Sequence, residues 1–141
     1  MRSGQIRLAV TLAVVAGALA ACSTSSGGGD DLAGRTFEGD EVEGRTLVEG
    51  SIVRIAFDTT TISVTAGCNT IFGDMSWDDG TLTTDAELAS TMMGCEDDLV
   101  NQDTWLRDLL MSSPPYTLDG ETLTIGEDGE RLTLTEIEVE E

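Results

Sequence analysis

The chain has 141 residues, with 27 acidic side chains against 7 basic ones, no histidine, and a formal net charge of −20. A surface of that sign repels nucleic acid and anionic headgroups. The missing imidazole excludes a histidine general base and a His-ligated metal.

The first segment reads as an export signal. Arg2 and Arg7 precede a weakly apolar run from Leu8 to Ala21, and Leu19-Ala20-Ala21 leads directly into Cys22. A positive start, a short apolar region and small residues before a cut are the anatomy of a secretory signal. The run is shorter than the ~20 residues that span a bilayer. Leu-Ala-Ala-Cys looks like a bacterial lipobox, in which the thiol is acylated (palmitate among the chains) and the protein is cut before the cysteine. Residues 1–21 are therefore expected to be a lipoprotein signal peptide and Cys22 the lipidated N-terminus. Several acyl chains make such an anchor stable. The expected location is the cell membrane, lipid-anchored, on the extracytoplasmic face. Two of the basic residues lie in the signal and every acid lies beyond residue 29, so the chain from Cys22 onward carries a net charge of −22.

Residues 22–33 hold the lipidated cysteine and the stretch Ser-Thr-Ser-Ser-Gly-Gly-Gly-Asp-Asp, which ends at Asp31. Gly and Ser keep such a segment flexible, and it reads as a tether. One small domain is expected over residues 34–141. Here Val53, Ile55 and Phe57 alternate with Arg54, Ala56 and Asp58, and Ile62 and Val64 alternate with Ser63 and Thr65. Leu123-Thr124-Ile125 and Leu132-Thr133-Leu134 repeat the rhythm. Period two with threonine on the outer face predicts antiparallel strands wet on one side. Asp79-Gly80, Asp119-Gly120 and Asp128-Gly129 sit between strand-like runs and supply the positive φ of tight hairpins. The predicted core includes Val53, Ile55, Phe57, Ile62, Val64, Leu106, Leu110, Leu123 and Leu132.

One stretch breaks the rhythm. From Glu96 to about Met111 there is neither Gly nor Pro, and Leu99, Leu106, Leu109 and Leu110 gather on one side of a helical wheel, with Asp97, Asn101, Thr104 and Asp108 opposite. Acids at its start suit the helix dipole, and Ser112-Ser113-Pro114-Pro115 ends it. Trp105 flanks the apolar side, where it packs on the core or lines a ligand cavity. The expected fold class is α+β, mainly β: an antiparallel barrel-like sheet with one packed helix over about residues 96–111.

With Cys22 acylated, Cys68 and Cys95 remain as a pair in an oxidising compartment. A bridge between them would pin the helix start to the sheet; two buried free thiols are the alternative. Two cysteines without histidine are too few for a zinc site. The clusters Asp78-Asp79 and Glu96-Asp97-Asp98 could weakly attract Ca²⁺, but neither has the alternating oxygen ligands and Gly of a calcium loop. No metal and no cofactor is expected.

Gly67-Cys68-Asn69, then Gly73, then Thr91-Met92-Met93-Gly94-Cys95, then Gln102-Asp103-Thr104-Trp105-Leu106 with Leu109, together resemble the META domain, also called HslJ-like. The Tyr116–Leu123 hairpin matches that family's closing strands. Gly34-Arg35-Thr36-Phe37 matches its first strand, where many members have Trp in place of Phe. The likeness runs from about Gly34 to Leu134, and its motif residues are Gly67, Cys68, Asn69, Gly73, Thr91, Met93 and Cys95. It implies a small, often lipid-anchored envelope protein in a family linked to stress responses. No catalytic residues are established for the family, and many members have Glu near the position of Gln102. Read from the residues alone, Gly67 permits positive φ or close backbone approach, and Asn69 caps a turn.

The function expected from all of this is non-enzymatic. The chain is a monomeric envelope lipoprotein that binds an envelope protein or ligand, with no nucleic-acid partner. Its contact surface is the end of the sheet bearing Gly67–Gly73 and the Thr91–Cys95 loop, since binding residues collect on loops of a rigid scaffold. The alternative is a carrier of a small apolar ligand inside the barrel. An enzyme finds little support, because there is no Lys, no His and no Gly-x-Ser-x-Gly nucleophile motif.

Overall fold

The structure, a computed structural model, describes residues 32–139. The expected signal peptide, the lipid site at Cys22 and the Ser/Gly tether up to Asp31 lie outside the described residues.

Among the described residues eight strands form one antiparallel sheet: β1 (Thr36–Val42), β2 (Val53–Phe57), β3 (Thr61–Thr65), β4 (Thr70–Asp74), β5 (Ala89–Ser90), β6 (Tyr116–Asp119), β7 (Thr122–Glu127) and β8 (Glu130–Ile137). Their spatial order is β5-β4-β3-β2-β1-β8-β7-β6, so the N- and C-terminal strands pair at the centre. One α-helix among the described residues, α1 (Asp97–Met111), connects β5 to β6. The mainly-β class and the one helix agree with the alternation read from the sequence.

The alternation also places the core. Val53, Ile55, Phe57, Ile62, Val64, Leu123, Ile125, Leu132 and Leu134 all point inward and are buried, together with Leu106 and Leu110 of the helix. Phe37, Phe57 and Trp77 meet edge to face, with ring centroids 5.9 and 5.3 Å apart, the geometry their quadrupoles favour. The hairpins at Asp119-Gly120 and Asp128-Gly129 form as expected, with Gly120 and Gly129 at positive φ.

The sheet is not closed strand to strand, so the expected barrel is only approximate. β5 is two residues long and does not reach β6. The opening is bridged by the segment between β4 and β5. Ser76 pairs with Thr83, Thr81 pairs with Pro115, and Leu82 N–H donates to Pro114 O at 2.9 Å. Tyr116 Oη donates to Trp77 O at 2.7 Å across the same gap. Trp77, Leu82 and Leu88 from this segment fill the interior. Asp79-Gly80 therefore lies in a wide loop with a 3-10 turn, not in a two-residue hairpin. Leu32 is also fully buried, and Ala33 packs against the core. The packed domain thus starts at Leu32, two residues before its expected start at Gly34.

Candidate functional site

The motif residues converge at one end of the sheet. Gly67, Cys68 and Asn69 make the turn between β3 and β4. Gly67 has φ 113°, and a Cβ there would stand 3.1 Å from the Leu99 side chain and 3.2 Å from Ser51. The motif thus needs a glycine for both backbone freedom and close approach of the helix. At Gly73 a Cβ would press on Leu88 at 3.0 Å. Cys68 and Cys95 are bridged, with Cα atoms 6.2 Å apart and a sequence separation of 27. Cys95 comes just before Glu96, the N-cap of α1, so the bridge ties the helix start to the β3–β4 turn.

Asn69 organises the loop that follows β5. It is buried, and its Oδ1 accepts from Thr91 Oγ1 at 2.9 Å and from Met93 N–H at 2.7 Å. Thr91 in turn accepts from Thr70 N–H at 3.0 Å and donates its own N–H to Thr70 O at 3.0 Å. The loop from Thr91 to Cys95 is therefore held at both ends: by Asn69 and Thr70 on one side, by the disulfide on the other.

The helix contributes two buried polar groups to the same end. Gln102 is 1% exposed. Its Oε1 accepts from Val48 N–H at 2.7 Å, while its Nε2 donates to Ala66 O at 2.6 Å and to Ser51 Oγ at 2.8 Å. Ser51 Oγ donates onward to Val48 O at 2.5 Å. Asp103 is 5% exposed; its Oδ2 accepts from Asn69 N–H at 2.8 Å. Its Oδ1 is buried with no hydrogen-bond partner among the described residues. Sequence reasoning missed both residues as packing elements. They lie three and four positions after Leu99, and four and three before Leu106, so they belong to the apolar stripe. Polar residues inside an apolar stripe are the signal that could have found them.

Other residues raised from the sequence have plain structural places. Trp105 is half-buried against the core, donates Nε1–H to Glu130 at 2.9 Å, and carries the Arg45 guanidinium 4.7 Å above its ring. Asp97 and Asp98 form the exposed first turn of α1, where their charge favours the helix. Among the described residues no three Cys, Asp or Glu side chains are grouped as metal ligands. Arg35, Arg54, Arg107 and Arg131 pair with Glu136, Glu38, Glu87 and Asp128 respectively.

This end also presents apolar side chains to solvent, beside the exposed Glu96, Asp97 and Asp98. Met92 is 94% exposed and Met93 63%. Phe72, two residues along β4 from Thr70 and on the same outer face, is 44% exposed.

A family model for the META domain matches residues 30–139. The chain belongs to the META-domain family. No curated protein matches it. Two solved structures share the fold of this META domain. One, determined by NMR, is 25% identical with a TM-score of 0.60, covering 74% of this chain and 90% of that one. The other, an NMR structure of a protein from Burkholderia xenovorans, is 17% identical with a TM-score of 0.58, covering 75% and 83%. The motif through which the sequence resembles the family is thus a fastening. Its glycine, disulfide and asparagine hold helix, turn and loop together.

Proposed function

We propose that this META-domain chain is a non-enzymatic envelope lipoprotein. It is anchored through Cys22 on the extracytoplasmic face and acts by binding at the Gly67–Cys95 end, in support of envelope stress tolerance. The observation that carries the reading is the use made of the buried polar atoms there. Asn69 Oδ1 and both polar ends of Gln102 are engaged by other groups of the same domain, so these amides, which carry no titrating proton, brace a surface, and the carboxyl group beside them, Asp103, is buried beneath it and accepts from Asn69 N–H. General acid–base work needs a group within hydrogen-bond reach of a reacting atom.

A carrier role is less well supported. The interior that a barrel-bound ligand would occupy is filled by Phe37, Ile55, Phe57, Trp77, Leu123 and Leu132.

Two measurements test the reading. Wild-type protein should partition with membranes, and its intact mass should show an acylated Cys22; Cys22→Ala should be released or remain an uncut precursor. An unmodified Cys22 in the mature protein would refute the anchor. Turnover of a small-molecule or cell-wall substrate, abolished by changing one carboxylate, would refute the non-enzymatic part.

A further inference from the structure

The loop between Thr91 and Cys95 is held at both flanks and apolar at its tip. Met92 and Met93 contribute almost nothing to the core, being 94% and 63% exposed. Yet both flanks of the pair are tied down, by Asn69 and Thr70 on one side and by the Cys68–Cys95 bridge on the other. A preordered backbone lowers the entropy lost on association. Methionine itself is flexible, polarizable and adaptable to irregular apolar sockets.

Position and charge select the occupant. Gly34 N–H donates to Phe57 O at 2.8 Å, so the chain enters the domain at the end where β2 finishes. Gly67 follows Thr65, which pairs with Arg54 at the other end of the β2–β3 ladder. The two ends are separated by roughly 13 Å of strand, at about 3.3 Å per residue. The chain therefore enters the domain at the end opposite the methionine tip. Between Arg54 and Arg107 the sequence has ten carboxylates and no basic residue. Of these, Glu96, Asp97 and Asp98 immediately follow the tip and are exposed. That field repels an anionic lipid surface and a second copy of this chain alike. It attracts a cationic rim.

We propose that Met92 and Met93 are the anchor of a membrane-distal docking surface for another envelope protein, one that offers an apolar socket rimmed by Lys or Arg. The inference rests on the binding function proposed above and names the partner's chemistry.

The test is site-specific photocrosslinking of the full-length protein in membranes of its own cells. p-Benzoylphenylalanine is placed at Met92 and, as a second site, at the exposed Thr117 of β6. The expected result is a discrete protein adduct from the Met92 site, with the crosslinked peptide containing Lys or Arg. Adding Met93→Glu should lower its yield about tenfold, the effect of removing one hot-spot side chain. Met93→Ser, which adds no charge, should lower it in the same direction. Both changes should leave the melting curve in place, because the side chain is largely in solvent. Adducts with lipid or with a second copy, a partner peptide lacking basic residues, or a yield indifferent to both Met93 changes would overturn the inference. A discrete protein adduct from Thr117 and none from Met92 would overturn it while leaving the binding function standing. Protein adducts from neither site would count against both.

Discussion

Gln102→Glu is the sharpest single test of how the helix is fastened. The change keeps the shape of the side chain and keeps one oxygen in place to accept from Val48 N–H. It replaces Nε2, which donates to Ala66 O at 2.6 Å and to Ser51 Oγ at 2.8 Å, with an oxygen. An ionised carboxylate would then face the Ala66 carbonyl, and Ser51 Oγ already donates to Val48 O. The site is 1% exposed, so water does not make good the loss. Two lost hydrogen bonds and a buried charge without a counter-ion together cost about 3–5 kcal/mol at neutral pH. Protonation restores one O–H to meet Ala66 O, so the folded state holds the proton more tightly than the unfolded chain does. The pKa of the introduced glutamate is therefore raised on folding. The titrating part of the penalty is full well above that raised value, shrinks as pH falls through it, and has disappeared below the ordinary carboxyl range, leaving only the lost bond to Ser51 Oγ. Gln102→Leu also loses the donor but cannot titrate, so its loss stays flat with pH. Urea melts of wild type, Gln102→Glu and Gln102→Leu at neutral and mildly acidic pH measure all of this. A glutamate variant as stable as wild type at neutral pH, or a loss indifferent to pH, would refute the bonding scheme.

Three further outcomes are expected. Closing the 27-residue separation between Cys68 and Cys95 stabilises the domain by about 3.5 kcal/mol in the loop-entropy model. The Cys68→Ser/Cys95→Ser pair should lose about that much in denaturant melts, and two free thiols in a non-reducing alkylation assay of wild type would refute the bridge. Asn69→Ala removes the acceptor of Thr91 Oγ1 and Met93 N–H. It should cost about 1–3 kcal/mol and hasten proteolytic nicking between Thr91 and Cys95; unchanged nicking would show that Asn69 does not hold the loop. Self-repulsion among the carboxylates should make the melting temperature climb as NaCl rises from millimolar to about 1 M, where screening acts over about 3 Å. A flat or falling curve would count against repulsion, and a rise specific to low Ca²⁺ would point to a cation site at the acidic clusters.

How legible each part was in the sequence follows from whether its physics is local. Val53, Ile55 and Phe57 announce a strand because one buried face imposes period two. Leu106, Leu109 and Leu110 announce a helix by the same reasoning at period 3.6. Trp77, Leu82 and Leu88 announce nothing. They are buried by a segment that crosses the sheet opening through isolated bridges, and that path depends on how short β5 is. Leu32 was unreadable for a related reason: one apolar residue after a Gly/Ser run has no period, and only contact with the finished core buries it.

The motif is a subtler case. Gly67, Cys68, Asn69 and Cys95 could be recognised as a set by their spacing, but a brace and a binding site require the same spacing. The two differ in where the polar atoms point. In the folded chain Asn69 and Gln102 turn inward and are met by Val48, Ala66, Thr91 and Met93 of the same domain. The residues they leave projecting are Met92 and Met93, and spacing, which marks Met93 as part of the motif, does not say that its side chain faces solvent. On the docking proposed above, a motif that selects for rigidity and an exposed tip that selects for contact are two halves of one device. Each residue of the brace should tolerate change only as far as the position of Met92 and Met93 is preserved.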